Sequence, residues 1–196
     1  MRTVLAGLAL AVAAASPAAA HPHVWIDATV DLKFVDGRVD AIAMRWTFDD
    51  LFSDFVLNEY DRDGDGAFDA EETKAVEHDA FEALGDVAWL TQLWSGPTKI
   101  QPVGYSDLAI SSADRLVTYS FTLKLPEPVD PLAAPLVLGV YDETYYIDVL
   151  LAEQDPVTLS GEVPAGCRFQ VFEDTEHPIY FGTVAPQSVD VICASS

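Results

Sequence analysis

From Val24 to Phe34 apolar and polar residues alternate, and Val24, Ile26, Ala28, Val30, Leu32 and Phe34 fall on one side of an extended chain. Asp36-Gly37 supplies a turn signal. Val39 to Phe48 alternates again, and Ile42, Met44, Trp46 and Phe48 make its better apolar face. The pattern predicts a β-hairpin. The period then changes. Leu51, Phe52, Phe55, Val56 and Tyr60 recur at helical spacing behind Asp49 and Asp50, which suit the positive end of a helix. Val76, Ala80, Phe81 and Leu84 repeat that spacing, and Gly85 is read as the stop.

Strand-like alternation returns in the second half. Ala88 to Trp94 is apolar and ambiguous in type, and Pro97 to Leu108 reads as an irregular strand. Leu116 to Leu125 places Val117, Tyr119, Phe121, Leu123 and Leu125 on one face. The prolines from Pro126 to Pro135 read as a connector, because proline offers no donor to a ladder. Leu136 to Tyr141 and Tyr145 to Ala152 are expected to pair as a hairpin around Asp142-Glu143-Thr144. Val157 to Glu162, Arg168 to Glu173 and Val189 to Ile192 complete the strands.

The two helical segments flank Asp61-Arg-Asp-Gly-Asp-Gly-Ala-Phe-Asp-Ala-Glu-Glu72. Carboxylates stand at loop positions one, three, five, nine and twelve, as Asp61, Asp63, Asp65, Asp69 and Glu72. Gly66 occupies the sixth position, where the chain must turn sharply. Ala67 at the seventh needs only its carbonyl. The loop resembles an EF-hand calcium loop. That resemblance implies Asp61, Asp63, Asp65, Ala67, Asp69 and Glu72 as calcium ligands. A capping box alone accounts for Asp69 and Glu72, but not for the preceding alternation of aspartates. The expected fold class is α+β: a mainly antiparallel β body with an inserted EF-hand-like helix–loop–helix at about residues 49–84.

Charge narrows the partners. Acidic residues number 32 against 10 basic ones, a formal net charge of −22. Nucleic acid, which needs basic patches, is excluded as a partner, and cations are favoured. Met1-Arg2, the apolar run from Val4 to Ala15 and Ala18-Ala19-Ala20 read as an export signal cleaved after Ala20. The expectation is a signal peptide over residues 1–20, a single domain over residues 21–196 and a periplasmic location. No later stretch is long and apolar enough to span a bilayer. In such a compartment Cys167 and Cys193 are expected to pair, stapling the last strand to the one that starts at Arg168.

Cleavage there would free the α-amino group of His21, and with the His21 and His23 imidazoles it forms a candidate site for Zn2+, Ni2+, Co2+ or Cu2+. A frayed terminus is the plainer alternative. His78 and His177 read as surface residues. The chain carries no GxSxG elbow, Walker loop or HExxH.

His21-Pro-His-Val-Trp-Ile-Asp27, the calcium-type loop, Tyr141-Asp-Glu-Thr-Tyr-Tyr146 and Gly166-Cys167 occur in that order. Together they resemble the bacterial periplasmic family known as a domain of unknown function and as the periplasmic component of an uncharacterised ABC-type transport system. Glu143 departs from the proline usual there. The resemblance implies an exported accessory protein associated with nickel, cobalt or zinc permeases, and it brings no catalytic residues. The expected function is therefore a non-catalytic calcium-binding protein serving transition-metal transport. The alternatives are a calcium-stiffened interaction module, or a metal-dependent enzyme using the N-terminal histidines.

Overall fold

The structure is a computed structural model, and it describes residues 22–193. The signal-peptide expectation and His21 lie outside those residues. The described chain is mostly β, in two sheets with a helical segment between Asp50 and Leu90. No helix among the described residues is long and apolar enough to cross a membrane.

Strands β1 (Val24–Val35) and β2 (Arg38–Phe48) form the expected hairpin, with Asp36 and Gly37 both at positive φ in its turn. All six alternating residues of β1 are buried. In β2 Ile42, Met44, Trp46 and Phe48 are buried, and so is Val39, because a register shift between Val39 and Ala41 turns it inward.

Helix α1 (Asp50–Tyr60) starts at Asp49, whose carboxylate accepts the Phe52 N–H. It presents the expected face only in part: Val56 is buried and Phe52 and Tyr60 pack against the core as expected, while the face is shifted towards Ser53 and Leu57. Ser53, Val56 and Leu57 are buried, whereas Leu51 and Phe55 are 71% and 56% exposed. The buried Ser53 hydroxyl fixes this phase: it donates to the Phe48 carbonyl and accepts the Val117 N–H at 2.9 Å. Helix α2 (Ala70–Val76) runs into a π-helical turn, Glu77–Phe81, and then a 3-10 segment, Glu82–Leu90. Gly85 is not itself the stop: its φ is not positive, and helical angles are lost just beyond it, at Val87, Ala88 and Trp89. It lies inside the 3-10 segment, where an added Cβ would sit 3.2 Å from the Trp89 ring.

The remaining strands are β3 (Thr91–Ser95), β4 (Thr98–Ile100), β5 (Gly104–Ala113), β6 (Leu116–Val129), β7 (Leu136–Val140), β8 (Ile147–Leu151), β9 (Val157–Gly161), β10 (Arg168–Glu173) and β11 (Gln187–Ile192). One sheet runs β5-β6-β2-β1-β8, with β9 also on β1, and the other runs β10-β11-β7-β3-β4. One hydrophobic core takes residues from both, among them Ile26, Trp46, Phe121, Leu93, Leu138 and Val189.

Three expectations are corrected. β6 continues through Pro126 and Pro128 to Val129, which pairs with Val39, so the first prolines lie at the end of a strand and not in a connector. β7 and β8 are not a hairpin, since they belong to different sheets. The cause is Asp142, whose carboxylate accepts the N–H groups of Thr144, Tyr146 and Ile147 and turns the chain from one sheet to the other. β8 and β9 pair with β1 in parallel, so the body is not purely antiparallel.

Cys167 and Cys193 are joined. They extend the β10–β11 ladder one step beyond the Arg168–Ile192 pair. The residues lie 26 apart in sequence. In the chain-entropy account, closing such a loop stabilises by about 3.5 kcal/mol. A Cys167→Ser/Cys193→Ser protein is expected to lose about that much in urea unfolding, with an m value that rises because its unfolded chain is less compact; a loss under about 1 kcal/mol would refute it.

Candidate metal centre

The loop between α1 and α2 is shaped by its own carboxylates. Asp61 Oδ1 accepts the N–H groups of Gly64 and Asp65 at 2.8 and 3.2 Å, and Oδ2 accepts that of Gly66 at 2.9 Å. Asp63 accepts the Asp65 N–H at 3.1 Å, and Asp65 accepts the Ala67 N–H at 2.8 Å. Gly64 and Gly66 take φ of +72° and +81°, which glycine adopts without a Cβ clash. The result is that Asp61, Asp63 and Asp65 each place a carboxylate oxygen within 4.8 Å of the others. Among the described residues this is the one such convergence of three His, Cys, Asp or Glu side chains. Three like charges so close repel one another, and a cation relieves that repulsion.

Asp69 and Glu72 close the loop from the other end. Asp69 caps α2 by accepting the N–H groups of Glu71 and Glu72, and Glu72 Oε2 accepts the Asp69 N–H at 2.9 Å, a reciprocal capping box. Glu72 is only 5% exposed, and its Oε1 accepts the Arg62 N–H at 2.7 Å. The structure thus gathers three of the six sequence-derived ligands and turns the Asp69 and Glu72 carboxylates to backbone donors. The donor set is all oxygen, which suits a hard cation such as Ca2+. The loop and helix α1 are each tied to the β5–β6 hairpin. Ser112 donates its hydroxyl to the Gly66 carbonyl, and Arg115 pairs with Asp54.

His23 lies at the start of β1, against the Tyr-rich segment. Its ring is 4.9 Å from that of Tyr146, and its N–H donates to the Tyr146 carbonyl at 2.9 Å.

His78 is exposed, and its pKa is raised chiefly by a hydrogen bond to Asp79. His177 is half-buried at the surface, and it is more closely engaged than a plain surface residue. Its Nδ1 lies 2.8 Å from Asp174, which is buried, and its ring stacks on Trp94 at 4.3 Å. The Ser188 hydroxyl also bonds Asp174, at 3.3 Å. The carboxylate therefore sits between hydroxyl and imidazole, an order that does not let the imidazole activate the hydroxyl. The sequence signal for this cluster is Asp174 three residues before His177; the Trp94 partner comes from another strand and leaves no local trace.

Buried Tyr119 and Tyr141 and half-buried Tyr105 all resist ionisation, chiefly because burial disfavours the charged form. Burial, reinforced by a 2.7 Å bond to Glu77, pushes Tyr105 up to about 12; burial does the same for Tyr141, also to about 12. In the unfolded chain all three titrate near 10. The unfolded state therefore loses protons first, and stability falls as pH rises from about 10 towards 12. A melting temperature flat across that window would contradict this.

Comparison with known proteins places the chain without assigning an activity. It is 29% identical over 104 residues to an uncharacterized 15.5 kDa protein in the trpE 3′ region of Spirochaeta aurantia, spanning 53% of this chain and 74% of that protein. Residues 6–183 match the family described as "Protein of unknown function (DUF1007)". A match over that much of its length makes the chain a member of the DUF1007 family.

Proposed function

We propose that this DUF1007 protein is an exported, non-catalytic calcium-binding protein that serves transition-metal transport. The observation that carries the calcium reading is the convergence of Asp61, Asp63 and Asp65 within 4.8 Å, in a loop between two helices. Asp61, Asp63, Asp65, Asp69, Glu72 and the Ala67 carbonyl would hold the ion, in the manner of an EF-hand. Bound calcium supplies one positive centre that locks α1 and α2 in place by favouring the native state alone. The transport reading draws on the resemblance carried by the mature start and the Tyr-rich segment. The His21 α-amino group with the His21 and His23 imidazoles is its candidate exchangeable site, and that site exists only after cleavage behind Ala20.

Calorimetry on chelator-treated protein is the direct test. One calcium per chain is expected, with binding strongly weakened by Asp63→Asn/Asp65→Asn; absence of calcium-linked heat would sink the reading. For the terminus, a single residue added before His21 is expected to weaken Zn2+ or Cu2+ binding while calcium binding persists. Equal affinities would remove the candidate site. A second reading, a calcium-stiffened interaction module, draws on the bonds that tie the loop and α1 to the β5–β6 hairpin beside a groove of about 490 Å³. Calcium as the sole metal retained by protein with its native terminus favours that reading over transport.

A further inference from the structure

The chain carries one loop of the Asp61–Glu72 spacing, and that loop leans on the β5–β6 hairpin instead of on a second loop of its kind. Strands β5 and β6 stay paired up to their turn, with Ser111 opposite Thr118, Ser112 opposite Val117 and Ala113 opposite Leu116. The cross-strand pair Ser112–Val117 meets the frame of the loop twice. The Val117 N–H donates to the buried Ser53 hydroxyl of α1, the helix that leads into Asp61. The Ser112 hydroxyl donates to the Gly66 carbonyl, inside the loop. One rung of the sheet therefore holds both the helix and the turn it feeds. Further along β5, the Tyr105 hydroxyl donates to Glu77, just past α2.

Gly66 is the residue that most needs such a hold. At φ of +81° it has no Cβ to restrict it, and a Cβ added there would meet nothing within 4 Å. Packing does not fix this residue; hydrogen bonds do. Its N–H donates to Asp61 Oδ2. The peptide that joins Gly66 to Ala67 is gripped at both ends, its carbonyl by Ser112 and its N–H by Asp65 Oδ1. That peptide comes immediately before the Ala67 carbonyl, the one backbone ligand of the calcium reading. Asp61 and Asp65 are themselves ligands in that reading, so Ser112 holds the turn from outside the ligand set.

We propose that Ser112 is a positioning residue for the ion: it fixes the Gly66–Ala67 peptide, so that the Ala67 carbonyl is aimed before calcium arrives. The inference rests on the calcium reading and deepens it, by naming the edge of the larger sheet as the loop's built-in partner. Ordering a free backbone residue costs conformational entropy, and glycine loses the most. A bond that orders the turn beforehand removes that cost from the binding step. The Arg115–Asp54 pair has no such role. It joins the hairpin to α1 through exposed side chains, outside the loop, where ion pairs contribute little.

The test is calcium titration of chelator-treated protein, paired with melting in chelator. Ser112→Ala is expected to weaken calcium about fivefold, the worth of one hydrogen bond. It is expected to melt within about 2 °C of the parent in chelator, because the loop can fray without unfolding the sheet. Ser112→Thr keeps the hydroxyl and is expected to bind within about twofold of the parent. Arg115→Ala, which cuts the other tie, is expected to do the same. Ser112→Ala binding calcium like the parent overturns the proposal, and a lower melting temperature in chelator beside that unchanged affinity marks the bond as purely structural. Ser112→Thr binding as weakly as Ser112→Ala overturns it too. So does Arg115→Ala losing as much affinity as Ser112→Ala, since the hairpin then acts as a whole. A parent that gives no calcium heat ends the calcium reading and this inference together, so the parent titration tells the two failures apart.

Discussion

Phe81→Ala is expected to lower stability by about 3–5 kcal/mol, the cost of emptying a large buried aromatic site. Phe81 is fully buried. Its ring meets Tyr105 edge-on at 4.9 Å and Phe121 at 4.8 Å, with Tyr119 at 6.1 Å. Those three side chains belong to β5 and β6, so Phe81 is the pin that holds the helical segment on the larger sheet. The π-helical turn explains how it gets there. Val76 and Phe81 are both buried although five residues apart, a spacing that would set them on different faces of an α-helix. The wider turn brings them onto one face. Phe81→Leu keeps most of the apolar volume and is expected to lose less. Urea unfolding reads the difference as a shift in midpoint at constant slope. A loss below about 1 kcal/mol for Phe81→Ala would show that the site collapses around the gap and that the ring is not the pin.

What the chain announces locally, the structure repeats. The alternation in β1 and β2 needs only one buried face per strand, and that face is written in consecutive residues. The aspartate spacing of the metal loop is equally local, and the three N-terminal carboxylates meet as that spacing implies. The Cys167–Cys193 pairing follows from having two cysteines and no other partner for either.

The misreadings arise where distant residues decide. Nothing near Ser53 says that its hydroxyl will bridge Phe48 and Val117, yet that bridge sets which face of α1 turns inward. Asp142-Glu-Thr looks like a hairpin turn by composition. Its carboxylate instead collects donors up to five residues on and redirects the chain into the other sheet. The surroundings of His177 are hidden for the same reason, since Trp94 stacks on it, and Ser188 bonds its partner Asp174, from other strands.

Calcium at about 1,000 times its dissociation constant is expected to stabilise the protein by about 4.1 kcal/mol, and chelation to remove that gain. For a chain of this length that corresponds to a rise in melting temperature of about 8–16 °C. Asp61, Asp63 and Asp65 are held together by backbone N–H groups, and Glu72 is buried at the loop's end, so the folded protein accumulates negative charge that the unfolded chain disperses. A cation that binds only the assembled loop reverses that penalty. Glu72→Gln separates the two jobs of its residue. The amide oxygen can still accept one backbone N–H, so the capping box is partly kept, while the charge and the paired oxygens that a bidentate ligand supplies are lost. The variant is therefore expected to melt within a few degrees of the parent in chelator, and to gain little when calcium is added. A parent protein whose melting temperature ignores chelator would end the calcium reading. A Glu72→Gln protein that responds to calcium as fully as the parent would show that the ion, where it binds, is held by the three aspartates without the twelfth position.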